Sequence, residues 1–356
     1  MKDSKNTLLL CTQVVDRQST TLGFMHRWIE KLAPLYDRIT VMCLYKGECS
    51  LPSNVQVYSL GKEVLEKENH GTLYRRIRYT LNFYKVIFSN FFKYEKVFVH
   101  MNQEYILLGG IFWRLAGKKV CMWRNHYEGN ALTKIAGYIC NKVFYTSRHS
   151  FTAQFKNSMQ MPVGVDVESL STKQHIDKKP NSILFLARLD PSKYPDVVLH
   201  ALKMLQDDGI GFSATFVGGT SDKFPTYQSE MHALKASLGL GDNVVFVGAV
   251  PSTETYKYYL SHDLYVNASK SGMLDKTIFE ALAAGCLPIT TSGDFHEMVG
   301  EEFKFTFKSS ESLFEKLKAA LDLPREEEKN KVATMQKIVI DQHSLDTLVK
   351  KINQEV

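Results

Sequence analysis

One stretch limits what this chain can fold into. Residues 266–292 read VNASKSGMLDKTIFEALAAGCLPITTS. An apolar run from Leu264 to Val266 ends in small polar residues and opens into a polar loop, Ser269 to Lys276. A strong helix former, TIFEALAAG, follows, with Ile278, Leu282 and Ala283 on one apolar face. Gly285 stands where a helix-ending C′ glycine belongs, and LPITT reads as a second short buried strand. Strand, loop, helix and strand in that order make a βαβ unit of a parallel sheet. Ligands of such sheets gather outside the carboxyl ends of the strands, where this loop lies. The helix N-terminus adds free N–H groups and partial positive charge, so the loop is a seat for phosphate. A local alternative stands beside this reading. Thr277-x-x-Glu280 is a capping-box pattern, in which Glu280 would bond only the backbone at the helix start.

The rest of the chain repeats the alternation. Strands are expected at Thr7–Val14, Ile39–Tyr45, the VQVYSL run, Lys96–Asn102, Lys119–Trp123 and Val143–Ser147. Helices are expected at Phe24–Leu35, Leu73–Phe92 and Tyr105–Ala116, with a short one from Arg148 to Phe155. The second half continues with strands at Ile183–Leu186, GFSATFVGG and Asn243–Val250. Its helices are Pro195–Leu205, Tyr227–Leu238, Ser252–Ser261, Ser310–Leu321 and Ser344–Gln354, with EEEKNK as solvated charge on a helix face. The segment holding His296 and Glu297 reads as a loop. A chain of 356 residues is more than one ordinary domain, and the polar stretch 169–180 reads as a linker. The expected domains are residues 1–168, residues 169–340, and a terminal helix, 341–356, crossing back to the first.

Composition narrows the function classes. The six cysteines form no CxxC and no metal-spaced cluster, as in a reduced, cytoplasmic protein with buried thiols. No secretory signal opens the chain, and no apolar run is long enough to span a bilayer. The net charge of +6 suits an anionic ligand or an anionic membrane surface. No basic block or aromatic–basic repeat points to nucleic acid. The stretch 73–92, LYRRIRYTLNFYKVIFSNFF, admits two readings: a core helix with snorkelling basic residues, or an interfacial helix touching anionic lipid.

From Phe185 onward the sequence becomes more specific. FLARLDPSKYPDVVLHAL, then NVVFVGAVPSTETYKYYLSHDLYVNAS, then FEALAAGCLPITT resembles the donor half of glycosyltransferase family 4. The likeness covers much of the second half; the first half matches weakly but in order. The resemblance implies an α/β architecture of the GT-B type, with two Rossmann-like parallel-sheet domains facing across a cleft, and retaining stereochemistry. It implies that Arg188 and Lys193 hold a donor diphosphate and that Glu280 bonds the ribose hydroxyls. His126, just past a strand end, would lie beside the transferred sugar. Gly23 would face the diphosphate or acceptor, and the base would sit near Val247 to Val250. Ser271, in the serine-rich loop, joins the donor-binding set. Residues 161–166, MPVGVD, look like the family's exit to the linker. One departure concerns the family's glutamate pair: Glu280 is the second, but the first falls on Gly272. Asp275 and Lys276 stand nearby as replacements, or as a helix cap and a solvated side chain.

This chemistry has a use for such residues. Breaking a glycosyl–phosphate bond builds charge on the leaving diphosphate, which fixed cations and helix N–H groups stabilise. Arginine offers a planar fork to phosphate oxygens and lysine a point charge. The alternative for Arg188 and Lys193 is a surface pair with Asp190, worth little. No Asp-x-Asp offers to hold a metal between phosphates, so metal independence is expected. The expected function is transfer of a hexose from a nucleotide-diphosphate sugar to a glycan or lipid-linked hydroxyl. The donor is a UDP-sugar in preference to GDP-mannose, and the setting is cell-surface polysaccharide assembly. The rivals are a nucleotide-sugar epimerase and a non-catalytic nucleotide-sugar-binding protein. A dehydrogenase ranks last, since no GxGxxG follows the first strand.

Overall fold

The computed structural model describes residues 6–68, 70–171, 176–271 and 274–356. The chain divides into two compact units. The first comprises residues 1–161, 251–253 and 348–356, and the second residues 162–250 and 254–347.

The first unit is built on a seven-stranded sheet. Its strands are β1 (Thr7–Val15), β2 (Arg38–Lys46), β3 (Val55–Ser59), β4 (Lys96–His100), β5 (Lys119–Trp123), β6 (Lys142–Tyr145) and β7 (Ser158–Gln160). All pairings are parallel, in the order β3-β2-β1-β4-β5-β6-β7. The apolar run of β1 is buried on both faces because it lies in the middle of the sheet. Right-handed crossovers put the helix Phe24–Leu32 on one face. They put helices Thr72–Ser89, Gln103–Leu115 and Ala131–Ile139 on the other. Leu9, Cys11, Val97, Val99, Val120 and Met122 alternate onto that second face and pack against Phe83, Ile87, Ile106, Trp113 and Ala136.

The second unit carries five parallel strands: β8 (Ser182–Leu186), β9 (Ser213–Val217), β10 (Val244–Gly248), β11 (Leu264–Asn267) and β12 (Leu287–Thr290). Their order is β10-β9-β8-β11-β12, so the second sheet repeats the first without its outer strands β6 and β7. Phe185, Phe216, Tyr265, Ile278 and Phe279 are among its fully buried side chains.

Several local expectations need correction. The long aromatic helix ends at Ser89, not Phe92, and one 3-10 turn, Phe91–Lys93, follows. Asn90 stops it: its amide Nδ2 donates to the Val86 carbonyl at 2.9 Å and its Oδ1 accepts from Tyr58 at 3.2 Å. Pro34 turns the end of the first helix into a 3-10 turn, Ala33–Leu35. The expected helix 148–155 is only a 3-10 turn, Phe151–Gln154. His296 and Glu297 lie in a helix, Gly293–Val299, capped by Ser292 Oγ, which accepts from the Phe295 N–H. Helix Ala131–Ile139 and strand β7 are absent from the sequence expectations; the helix has an apolar stripe and opens on a capping box of Asn130 and Thr133 that could have marked it, whereas β7 is only three residues long.

Five of the six cysteines are buried and Cys49 is half-buried. Burial pushes the Cys43 and Cys286 thiols up to about 12 and Cys121 up to about 11. Cys11 and Cys140 are pushed higher still, also by burial. A thiol-specific disulfide reagent at pH 8 is therefore expected to label about one thiol, Cys49, in the native chain. All six should react after denaturation. Rapid native labelling of several thiols would contradict this burial.

Candidate functional site

In the second unit the chain leaves β8 toward β9 on one side and leaves β11 toward β12 on the other. The loops at the carboxyl ends of β8 and β11 therefore diverge, and a crevice opens between them. The β8 loop is held down by close backbone contact. Gly218 N–H donates to the Gly248 carbonyl at 2.9 Å, and Leu189 N–H to the Gly219 carbonyl at 3.0 Å. Gly218 has φ +146°, and a Cβ there would lie 1.8 Å from the Ala187 oxygen, so no other residue fits without displacing the loop.

Within that loop Asp190 caps the 3-10 turn Pro191–Lys193, its Oδ1 accepting from the Ser192 N–H at 2.9 Å. Tyr194 is left-handed at φ 53°, and Pro195 starts the helix Pro195–Asp207. Lys193 is buried, at 9% exposure. Its Nζ donates to Asp275 Oδ2 at 2.8 Å and to Ser269 Oγ at 2.9 Å. Ser269 Oγ donates in turn to the same Asp275 oxygen at 2.7 Å, and Asn267 Nδ2 donates to it at 3.0 Å. Burial of Asp275 acts to raise its pKa. The Lys193 charge and the hydrogen bonds from Lys193, Asn267 and Ser269 outweigh burial, and the carboxyl ends below its ordinary value.

Glu280 forms a second charged cluster one helix turn further on. The Tyr259 hydroxyl donates to its Oε2 at 3.2 Å, and Lys276 Nζ lies 3.3 Å from its Oε1. The helix runs Lys276–Ala283 with Asp275 at the N-cap and no side-chain capping bond. Thr277 lies within the first turn, where its Oγ1 accepts from the Tyr265 hydroxyl at 2.7 Å. The Thr277–Glu280 capping box therefore does not form, and Asp275 turns to Lys193 in place of the helix end. At the other end Gly285 (φ +90°) closes the helix as expected. Gly285 N–H donates to Leu282 O and Cys286 N–H to Ala281 O, a Schellman pair.

Arg188 keeps its guanidinium half exposed, 3.5 Å from Asp190 Oδ2, so it has not joined the buried cluster around Lys193. Ser271 ties two loops together, donating to Thr291 O at 3.0 Å and accepting from the Gly293 N–H at 3.1 Å. Val250 is half-buried against the core just beyond β10. Gly272 lies outside the described residues.

Two expected residues belong to the first unit. Gly23 ends the loop after β1 at the start of helix Phe24–Leu32, in an ordinary helical conformation. A Cβ there would stand 2.8 Å from the Ser19 oxygen, so close packing of its own loop demands glycine. His126 follows β5. Its Nδ1 accepts from the Glu128 N–H at 2.9 Å, and its ring stacks on Tyr127 with centroids 4.7 Å apart. A neutral imidazole bonded in this way carries its proton on Nε2. Asn267, Ser269 and Tyr259, which hold the two carboxylates, were not read from the sequence. Tyr259 sits among ordinary helix residues 21 positions before Glu280, so no local pattern marks it.

The Lys193–Asp275 pair carries a prediction. Asp275→Asn leaves a buried ammonium without its counter-charge, at a cost of about 3–5 kcal/mol. A carboxyl whose folded pKa is depressed stabilises the fold above its unfolded value, near 3.8, and loses that contribution as pH falls through the folded value. The variant is expected to melt several degrees below the parent at neutral pH. The gap should narrow below about pH 4 as the parent's carboxyl is protonated. A melting-point gap unchanged between pH 7 and pH 3 would contradict the pair.

Comparison with known proteins bears on the same segment. The family model described as "Glycosyl transferases group 1" matches residues 166–337. A D-inositol 3-phosphate glycosyltransferase of Acidothermus cellulolyticus is 30% identical over 107 residues, covering 29% of this chain and 24% of the relative. YtcC of Bacillus subtilis (strain 168) is 29% identical over 131 residues, covering 35% of this chain and 31% of the relative. The alignments thus span about a quarter to a third of these relatives' lengths. Among solved structures, Anabaena HepE in complex with UDP superposes with a TM-score of 0.74 at 16% identity, covering 98% of this chain and 99% of its own. The same protein is also known in complex with UDP-glucose, with a TM-score of 0.72. The chain thus has the GT-B fold of its structural neighbours, and its segment 166–337 carries the glycosyl transferases group 1 pattern.

Proposed function

We propose that the chain is a glycosyltransferase that moves a hexose from a UDP-sugar to a hydroxyl of a glycan or lipid-linked acceptor. The observation that carries this reading is the buried Lys193 ammonium at the crevice where the loops of β8 and β11 diverge, inside the segment matching glycosyl transferases group 1. The complexes of HepE with UDP and UDP-glucose, on the same fold, support a uridine donor over a guanosine one.

In this reading the second unit binds the leaving group. Lys193, locked in one rotamer by Asp275 and Ser269, supplies a fixed positive charge to the diphosphate as the glycosidic bond lengthens. Arg188 swings from its weak contact with Asp190 to add a planar fork. Preorganised charge of this kind lowers the barrier because nothing reorganises during the reaction. Glu280, oriented by Tyr259 and Lys276, accepts hydrogen bonds from the ribose hydroxyls. Lys276 and the N–H groups at the start of its helix complete the phosphate seat, with Ser271 bracing the loop. The base lies against Val250 and the end of β10.

The first unit contributes Gly23, whose backbone faces the diphosphate or acceptor, and His126, whose Nε2–H donates to the transferred sugar. The leaving phosphate takes the acceptor proton on the face where the acceptor attacks, and the anomeric configuration is retained. The cations of the protein stand in for a metal between the phosphates. The pathway is cell-surface polysaccharide assembly.

Lys193→Ala is expected to lower kcat by about a hundredfold or more, the scale of losing one preorganised donor to developing charge. Turnover within a few-fold of the parent, in the presence of an accepted UDP-sugar, would remove Lys193 from the reaction. Glu280→Gln is expected to weaken UDP binding in calorimetry by about tenfold, the size of one charge-assisted hydrogen bond. Equal affinity would return Glu280 to a structural role. Activity is also expected to survive excess chelator; loss that added divalent ion restores would overturn the metal-free reading.

A further inference from the structure

The three helices on one face of the first unit's sheet are apolar on both sides. Their inner sides supply Phe83, Ile87, Trp113 and Ala136 to the core. Their outer sides are not needed for that core, yet they carry eleven of the eighteen large apolar side chains exposed among the described residues. Ile77, Leu81 and Phe88 recur at four- and seven-residue intervals along one outer stripe of helix Thr72–Ser89. Phe88 meets Phe112 of the next helix edge to face at 5.6 Å, which joins the two outer surfaces. Leu115, at 84% exposure, and Tyr138, at 88%, extend the surface over the second and third helices. Scattered exposed leucines need no explanation, but eleven large apolar side chains exposed on three neighbouring helices, joined across the first two by Phe88 and Phe112, mark a docking face.

Charge identifies what docks there. Residues 71–165 hold fourteen Lys and Arg against three Glu, a formal +11. The whole chain is only +6, so everything outside this segment sums to −5. Helices Thr72–Ser89 and Ala131–Ile139 contain no acid, and the helix between them has only Glu104, in its first turn. Arg76, Arg78 and Lys85 stand exposed on the first helix, Arg114 on the second and Lys134 on the third. A second copy of this chain would bring a like-charged face against its own. A surface with apolar depth and negative charge fits both features: apolar side chains enter the acyl boundary while the basic ones meet the headgroups. Among the described residues no helix is long and apolar enough to cross a membrane, so the contact is one of lying on the surface.

We infer that the outer face of helices Thr72–Ser89, Gln103–Leu115 and Ala131–Ile139 docks onto an anionic lipid bilayer. The apolar stripe supplies depth of insertion, and Arg76, Arg78 and Lys85 supply preference for anionic headgroups. This inference stands apart from the reading of the second unit, and its test does not use transfer activity.

The test is flotation of the full chain with vesicles of phosphatidylcholine alone, or with about 30% phosphatidylglycerol, near physiological salt. The parent is expected to float with the anionic vesicles and to remain behind with the neutral ones. The double variant Leu81→Glu, Leu115→Glu is expected to lose at least tenfold in bound fraction while keeping the parent's circular dichroism and melting point. Arg76→Ser with Arg78→Ser provides a second, milder variant, expected to weaken anionic binding without changing the fold. Failure of the parent to float, or undiminished flotation of well-folded variants, would overturn the inference. So would sedimentation velocity showing a dimer that Leu81→Glu dissociates, since the face would then be covered by a second copy.

Discussion

The second unit's site depends on one buried ion pair. Lys193 lies within a loop that a glycine contact presses onto the sheet, and its ammonium would be costly to bury without a counter-charge. Asp275 supplies that charge, and Ser269 and Asn267 satisfy the same carboxylate oxygen. The pair links the loop of β8 to the loop of β11, which the topology would otherwise send apart. A lysine with its side chain fixed in this way costs little to hold in place when an anion arrives. The carboxylate also makes the ligand-free crevice close to neutral, so a diphosphate entering it must compete with Asp275 for the same ammonium.

The second cluster follows a similar logic with less burial. Glu280 is oriented from one side by a buried tyrosine and from the other by a lysine one turn earlier on its own helix. Burial and the adjacent Glu280 charge push the Tyr259 hydroxyl well above its ordinary value, so it stays a proton donor. The side chains of Asp275, at the N-cap, and Glu280, one turn later, thus both face other side chains, and neither makes a capping bond.

The parallel sheets and the central βαβ unit were legible because buried strands and Gly285 leave local marks: apolar runs, turn residues and a helix stop. Lys193 and Glu280 were legible only through spacing that resembles a family. The contacts that orient them were not, since Tyr259 and Glu280 are 21 residues apart, and Lys193 and Asp275 are 82 apart. No periodicity reports a contact at such separation. The Thr277–Glu280 capping box shows the opposite failure, a local pattern that matches but does not form because the helix starts two residues earlier, with Asp275 at the N-cap. For the 73–92 stretch, the core reading holds for the inner side of the helix, while its outer side carries exposed apolar residues among basic ones. Amphipathic patterning cannot separate these when both sides are apolar.

Where a leaving diphosphate binds decides what the Lys193 crevice does. A crystal structure of the chain with UDP tests it most directly. The expected result is a diphosphate oxygen within hydrogen-bond distance of Lys193 Nζ, Arg188 turned away from Asp190, and ribose hydroxyls on Glu280. UDP bound elsewhere, with the Lys193–Asp275 pair intact and its crevice empty, would contradict the account.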